Sequence, residues 1–169
     1  MQSISNKPVL IREMELEDIP VVYALGEAVF TADKWPSLYR TWDEYEPVTL
    51  FTADGEFCFV AEREGHVVGF ALGSLIDKRK SAWSYGYLTW LAVAPELKRS
   101  GIASQLMDAI TEAYIKAGAR MMIVDTDAEN ETAIHFFRRH GFRSEDRHVY
   151  LSKNLTGHPD YRRLRRHRD

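Results

Sequence analysis

Apolar residues recur along this chain with two periods, and the switches between them outline the elements. "PVLIREM" (8–14) reads as a short strand bounded by Pro8. In the next stretch Ile19, Val22, Tyr23, Ala24 and Val29 recur at helical spacing, which predicts a helix from about 17 to 30. Residues 31–47, rich in Trp and Tyr, read as a loop and a second short helix. The run 57–76 holds two β-rich stretches joined by "REGH", where Gly65 can take the positive φ of a tight turn. "YGYLTWLAVAP" (85–95) is another strand, stopped by Pro95. Ile102, Leu106, Ile110, Ala113 and Ala117 then line one face of a helix that Gly118 closes. "ARMMIVDT" (119–126) predicts a strand, "NETAIHFFRRHG" (130–141) a helix and "HVYLSKNL" (148–155) a final strand.

The order β-α-α-β-β-β-α-β-α-β mixes hairpins with β-α-β crossovers. It predicts an α+β domain in three layers, a mixed and mostly antiparallel sheet with helices on both faces. No repeat or linker interrupts the pattern, so residues 1–155 are expected to form one domain and 156–169 a basic tail.

Composition narrows the class. The 169 residues are 45% hydrophobic and 28% charged, as in a soluble globular protein. No apolar run approaches the roughly 20 residues of a membrane span. The N-terminus lacks the basic flank and apolar core of a secretory leader. The single cysteine, Cys58, allows no internal disulfide and no cysteine-based metal cluster, and is read as a small buried hydrophobe. These features point to the cytoplasm, with no metal and no membrane. Net charge is −3 but uneven: residues 13–56 carry eleven acids against Lys34 and Arg40, a local charge of −9. The tail from Thr156 carries five arginines against Asp160 and Asp169.

The strongest chemical signal is "LAVAPELKRSGIASQLM" (91–107), in which a strand ends, a basic loop follows and a helix begins. A helix N-terminus offers unpaired N–H groups and partial positive charge, a natural seat for phosphate oxygens. Small residues at Gly101 and Ala103 would let a pyrophosphate approach the backbone, and Lys98 and Arg99 add positive charge. The same residues are also compatible with a plain strand-to-helix turn. No Gly-Lys-Ser/Thr follows as in a Walker loop, and one Gly with one Ala is not a dinucleotide fingerprint.

Together with "NETAIHFFRRHGF" (130–142), this segment resembles the GNAT family of N-acetyltransferases. Lys98, Gly101 and Ala103 stand where that family has Gln/Arg-x-x-Gly-x-Gly/Ala. Asn130, Ala133, Phe136, Gly141 and Phe142 fit Asn-x-x-Ala-x-x-apolar-Tyr-x-x-x-Gly-Phe. Two positions depart: Lys98 replaces Gln or Arg, and Phe137 replaces Tyr. The likeness covers residues 9–155 and implies the family's acyl-CoA N-acyltransferase fold with acetyl-CoA as acyl donor. By resemblance, the amides of Arg99, Ser100, Gly101, Ile102 and Ala103 would hold the pyrophosphate. Main-chain groups of the Leu91-Ala92-Val93 segment would pair with the pantetheine arm as an added strand. Asn130, with Ala133 and Phe137 on the same helix, would lie near the thiol end; Asn130 also suits a helix N-cap.

Acetyl transfer to an amine requires a neutral nitrogen, a polarised thioester carbonyl and a leaving thiolate. The resemblance assigns the oxyanion donor to the main-chain N–H of Leu91. Asp125 is the candidate base, in an apolar setting expected from Met122, Val124 and the aromatic helix; an outward-facing or turn-capping Asp is the alternative, and Asp127 is its neighbour on the same face. Tyr87, and less directly Tyr85, would orient a water or line the acceptor channel, or serve only as half-buried strand aromatics. Tyr150 on the last strand is a remoter candidate, and His135 and His140 read as solvent-facing. Phe137 removes the hydroxyl that the family uses as a general acid.

The expected function is acetyl-CoA-dependent transfer of an acetyl group to a primary amine of a protein, peptide or small molecule, by direct attack in a ternary complex. An acyl-CoA-binding sensor and an aminoacyl-tRNA acetyltransferase are the alternatives. The acidic first third would attract a cationic acceptor and is also compatible with a plain solvated acidic face. The Arg-rich tail is the only sign of nucleic-acid binding and is expected to be a disordered, soluble tail. A homodimer is compatible with the sequence.

Overall fold

A computed structural model describes residues 8–31, 41–77 and 83–165. The elements are β1 (Leu10–Glu13), α1 (Ile19–Val29), α2 (Tyr45–Asp54), β2 (Cys58–Arg63), β3 (His66–Asp77), β4 (Ser84–Val93), α3 (Ile102–Lys116), β5 (Met121–Val124), α4 (Glu131–Arg139) and α5 (Pro159–Arg165). Five strands form one sheet in the order β1-β2-β3-β4-β5. Every neighbouring pair is antiparallel except β4 and β5, which run parallel.

Two apolar clusters sandwich the sheet. Val22 of α1 meets Trp42, Val60, Phe70, Leu72 and Trp90 on one face. Ile102, Leu106, Met107, Ile110 and Tyr114 of α3 meet Phe57, Ala61, Ala71 and Leu88 on the other. This is the α+β, helix-flanked mixed sheet expected from the element order.

Two ties set the geometry around the later site. The Arg12 guanidinium grips the Asp18 carboxylate with two hydrogen bonds of 2.7 and 2.9 Å, and its Nε donates to Glu62 at 2.9 Å, fixing β1 to the start of α1. Tyr114 of α3 lies across two strand glycines: a Cβ on Gly73 would stand 2.0 Å from its hydroxyl, and one on Gly86 2.4 Å from its ring. The glycines let the ring sink to the backbone, and its hydroxyl donates to the carbonyl of Tyr87 at 2.9 Å.

Three expectations change. The second helix spans Tyr45–Asp54, later than the 31–47 segment; residues 32–40 of that segment lie outside the described residues. The final strand at 148–155 does not form: residues 142–155 carry no helix or strand, and no ladder joins them to the described strands. Part of the tail is ordered, as the short helix α5 (Pro159–Arg165). Among the described residues no helix is long and apolar enough to cross a membrane.

Candidate active site

The site begins with a local irregularity in β4. Leu72 pairs with Trp90 but Gly73 pairs with Leu88, so Thr89 is the extra residue of a β-bulge. In a regular strand residues 88 and 90 would share a face. Here Leu88 joins the cluster under α3, whereas Trp90 joins the cluster under α1. The bulge therefore turns Tyr87 and Trp90 to the same side of the sheet.

Beyond the bulge the sheet opens. The parallel ladder to β5 runs only from Tyr85↔Met121 to Leu88↔Val124, while β4 stays paired with β3 up to Val93. Ala94 N–H donates to Val68 of β3 at 2.8 Å. Because main-chain groups alternate in direction along a strand, Ala92 also turns toward β3. Leu91 and Val93 then turn their N–H and C=O groups into the opening between β4 and β5. The Ala92 side chain is buried in the core.

The same strand leads to the α3 loop. After the turn Pro95–Leu97, residues 98–101 are exposed. Arg99 and Gly101 take left-handed conformations, with φ of 66° and 83°. Alternation of backbone hand directs successive N–H groups to one concave side. No side chain caps α3, so its first turn from Ile102 presents main-chain donors, whereas the Ser100 N–H is already bonded to the Leu97 carbonyl at 3.3 Å. The Ile102 side chain is buried and Ala103 is half-buried, which leaves their amides as what they offer. Ser100 turns its hydroxyl back to the Leu97 carbonyl at 2.5 Å, and Lys98 and Arg99 supply exposed positive charge.

At the closed end of the opening, the Tyr87 hydroxyl donates to Asp125 Oδ1 at 2.7 Å. The two candidates chosen from separate strands are thus in direct contact. The expected apolar setting of Asp125 is absent: Asp125 is exposed, and Met122 and Val124 pack into the α3-side cluster on the opposite face. The Asp127 carboxylate accepts from Glu129 N–H at 2.9 Å, within the turn that leads to α4.

Asn130 caps α4. Its Oδ1 accepts from Ala133 N–H at 3.2 Å, and its Nδ2 donates to Thr126 at 3.1 Å, so the Ala133 amide is engaged within the cap. The other end of α4 explains Phe137. Phe142 N–H donates to Phe137 C=O at 3.2 Å and Gly141 N–H to Arg138 C=O at 3.1 Å, with Gly141 at φ 91°. This is a Schellman closure, which calls for an apolar contact between those same two positions. The Phe137 and Phe142 rings supply it, with centroids 5.6 Å apart.

Other candidates lie elsewhere. Tyr150 is exposed on the segment after α4, His135 faces solvent, and His140 is half-buried with Nδ1 2.9 Å from the Phe136 carbonyl. Cys58 is fully buried, and desolvation pushes its thiol up to about 12. One contact was not anticipated: the Trp90 indole N–H donates to Glu46 Oε2 of α2 at 2.6 Å. Trp90 stacks edge-on against Trp42 at 5.1 Å, so α2 brings an acidic group to the aromatic face beside Tyr87. Only the excess of acids in the first third hinted at it.

A sheet splayed beside one strand, and leading to an uncapped helix N-terminus, is the architecture of acyl-CoA-dependent acetyltransferases. The sequence profile of the Acetyltransferase (GNAT) family matches residues 28–142, and the chain belongs to that family. It is 31% identical over 87 residues to N-alpha-acetyltransferase 30 of Schizosaccharomyces pombe, a match covering 52% of this chain and 57% of that protein. The match thus spans little more than half the length of that relative. The fold is similar to aminoglycoside N-acetyltransferase AAC(6')-Iy in complex with CoA (TM-score 0.69, 22% identity, 90% of this chain and 99% of that one). It is also similar to a chain of the NatC complex bound to Gag peptide and CoA (TM-score 0.72, 17% identity, 85% and 91%).

Proposed function

We propose that this chain is an acetyl-CoA-dependent N-acetyltransferase acting on a primary amine by direct attack in a ternary complex. The carrying observation is the opening of the sheet after Leu88, with Leu91 and Val93 turned into it and the Tyr87–Asp125 pair at its closed end. The CoA-bound fold relatives and the N-alpha-acetyltransferase relative support the same reading.

In this reading the main-chain groups of Leu91 and Val93 bind the pantetheine amides as a strand would, while Ala92 holds the strand to the core. The amides of Arg99 to Ala103 bind the pyrophosphate, with Lys98 and Arg99 adding charge. Asn130, Ala133 and Phe137 border the thioester end. A lysine-like amine titrates at about 10.4 and a peptide α-amine at about 8, so the acceptor arrives largely protonated. Asp125, oriented by Tyr87, takes that proton directly or through water. The amine nitrogen bonds to the thioester carbonyl carbon, the Leu91 N–H stabilises the developing oxyanion, and the C–S bond breaks to release CoA. The acidic first third, with Glu46 beside Trp90, favours a cationic acceptor.

The test is CoA release, followed with a thiol reagent, over a panel of peptides, polyamines and amino sugars. Turnover with at least one amine is expected. Acetyl-CoA binding without turnover on any amine would replace this reading with that of an acyl-CoA sensor.

A further inference from the structure

The bulge at Thr89 is clamped from both faces of the sheet. On the α3 side, the Tyr114 hydroxyl donates to the carbonyl of Tyr87, before the bulge, at 2.9 Å. On the other side, the indole N–H of Trp90, just after it, donates to Glu46 Oε2 at 2.6 Å. A bulge inserts one residue, and a shift of one residue reverses the face and the bonding direction of every position beyond it. Beyond this bulge lie Leu91 and Val93, whose main-chain groups face the opening of the sheet. The Trp90 ring packs against Phe30 at 4.8 Å and Trp42 at 5.1 Å. Apolar packing of this kind is non-directional. The bond to Glu46 is directional: it joins one atom of the ring to one atom of α2, and a carboxylate acceptor strengthens it. Glu46 is itself held in place. The Asp43 carboxylate accepts from the Tyr45 and Glu46 N–H groups at 2.9 and 3.2 Å, and Pro47 is buried at the next position. Leu50 and Phe51 of the same helix pack on the cluster that contains Trp90. The Trp90 carbonyl and the Leu91 N–H belong to one planar peptide unit, so the backbone at Trp90 aims that N–H.

We propose that Glu46 is a positioning residue: through the Trp90 indole it fixes the register beyond the bulge and with it the direction of the Leu91 N–H. In the transferase reading, on which the effect on catalysis rests, that N–H is the oxyanion donor. Glu46 fills this role as a hydrogen-bond acceptor, not through its charge. Helix α2 is thereby tied to the strand that receives the acyl donor.

Two measurements on the full chain test this. Glu46→Gln keeps an acceptor for the indole and removes the charge, whereas Glu46→Ala removes both. Amide hydrogen exchange over residues 88–93, read by mass spectrometry, is expected to quicken by more than about tenfold in Glu46→Ala and to stay near wild type in Glu46→Gln. With an accepted amine, Glu46→Ala is expected to lower kcat by about tenfold or more, and Glu46→Gln to restore most of it. Trp90→Phe removes the donor while keeping a ring, and decides the question where Glu46→Ala does not fold. It is expected to match Glu46→Ala, with the double variant no worse than either, as for the two ends of one bond. Cooperative thermal unfolding shows that folded proteins are being compared. Unchanged exchange or unchanged kcat in Glu46→Ala and Trp90→Phe would overturn the proposal. So would a kcat in Glu46→Gln as low as in Glu46→Ala, or a loss confined to the KM of the amine. Failure of the transferase reading shows separately, as a wild type that turns over no amine; the exchange result then decides alone whether Glu46 holds the bulge.

Discussion

The Tyr87 hydroxyl donates to the Asp125 carboxylate at 2.7 Å, joining β4 to the end of β5 where the sheet begins to part. The contact makes the pair a unit; in the proposed mechanism Asp125 receives the proton and Tyr87 fixes its orientation. Asp125→Asn is expected to lower kcat by about 10²-fold or more, the range of a lost general base. The loss should be steepest below pH 8, where fewer acceptors are already neutral. Tyr87→Phe should cost less, about tenfold, and leave the shape of the pH–rate profile closer to wild type. Unchanged pH–rate profiles in both variants would remove the pair from the mechanism.

Phe137 is the apolar half of the closure of α4 as well as the residue standing where the family carries a Tyr. The leaving group is a thiol that titrates at about 8.5 if it behaves like cysteine, so it departs with modest help. Phe137→Tyr is expected to change turnover by less than about tenfold, the low side of general-acid effects. A gain of several hundredfold would show that a missing acid limits the enzyme. Phe137→Ala should instead destabilise the protein, by roughly 2 kcal/mol for a half-buried aromatic, read by denaturant unfolding.

The seat of α3 depends on glycine at two strand positions. Gly73→Ala would force a methyl to 2.0 Å from the Tyr114 hydroxyl and 2.8 Å from the Tyr87 carbonyl. Overpacking of this kind costs roughly 2–3 kcal/mol, lowering Tm by about 6 °C or more in a domain of this size. Because Tyr114 bonds the Tyr87 carbonyl, the variant should also lose activity at temperatures where it remains folded.

Asp18 provides the pH signature of stability. Its hydrogen bonds from Arg12 hold its carboxyl below the usual carboxylate range, against the opposing effect of burial. A depressed folded value means that the contribution is present above the unfolded value of about 3.9 and is lost as pH falls through the folded one. Asp18→Asn is expected to cost roughly 2 kcal/mol at neutral pH, since Arg12 is partly exposed. That difference from wild type should shrink steadily below about pH 4. A penalty that stays constant from pH 7 to pH 3 would contradict the assignment.

Contiguous features were readable from the sequence. The strand-loop-helix at 91–107 shows itself because its glycine, its basic residues and its helical face are neighbours in the chain. The same holds for the Asn130 cap and the Gly141 closure. Features created by register were not readable. The Thr89 bulge exists only because Gly73 pairs with Leu88 while Leu72 pairs with Trp90, and no local pattern announces that offset. The role of Tyr114 on α3 has no local signal either, because a face counted from Ile102, Leu106 and Ile110 gives no hint of two glycines across the sheet. Glu46 reaches Trp90 across 44 positions of sequence, beyond any local signal. At 148–155 the run of β-forming residues suggests a strand, but a strand needs a ladder, and no local pattern fixes one.

In the proposed function the chain brings donor and acceptor together in one complex, and the acetyl group passes directly between them. Initial rates of CoA release, with acetyl-CoA and an accepted amine both varied, test it most directly. Double-reciprocal lines that intersect are expected; parallel lines, or release of CoA that does not depend on the amine, would contradict direct transfer.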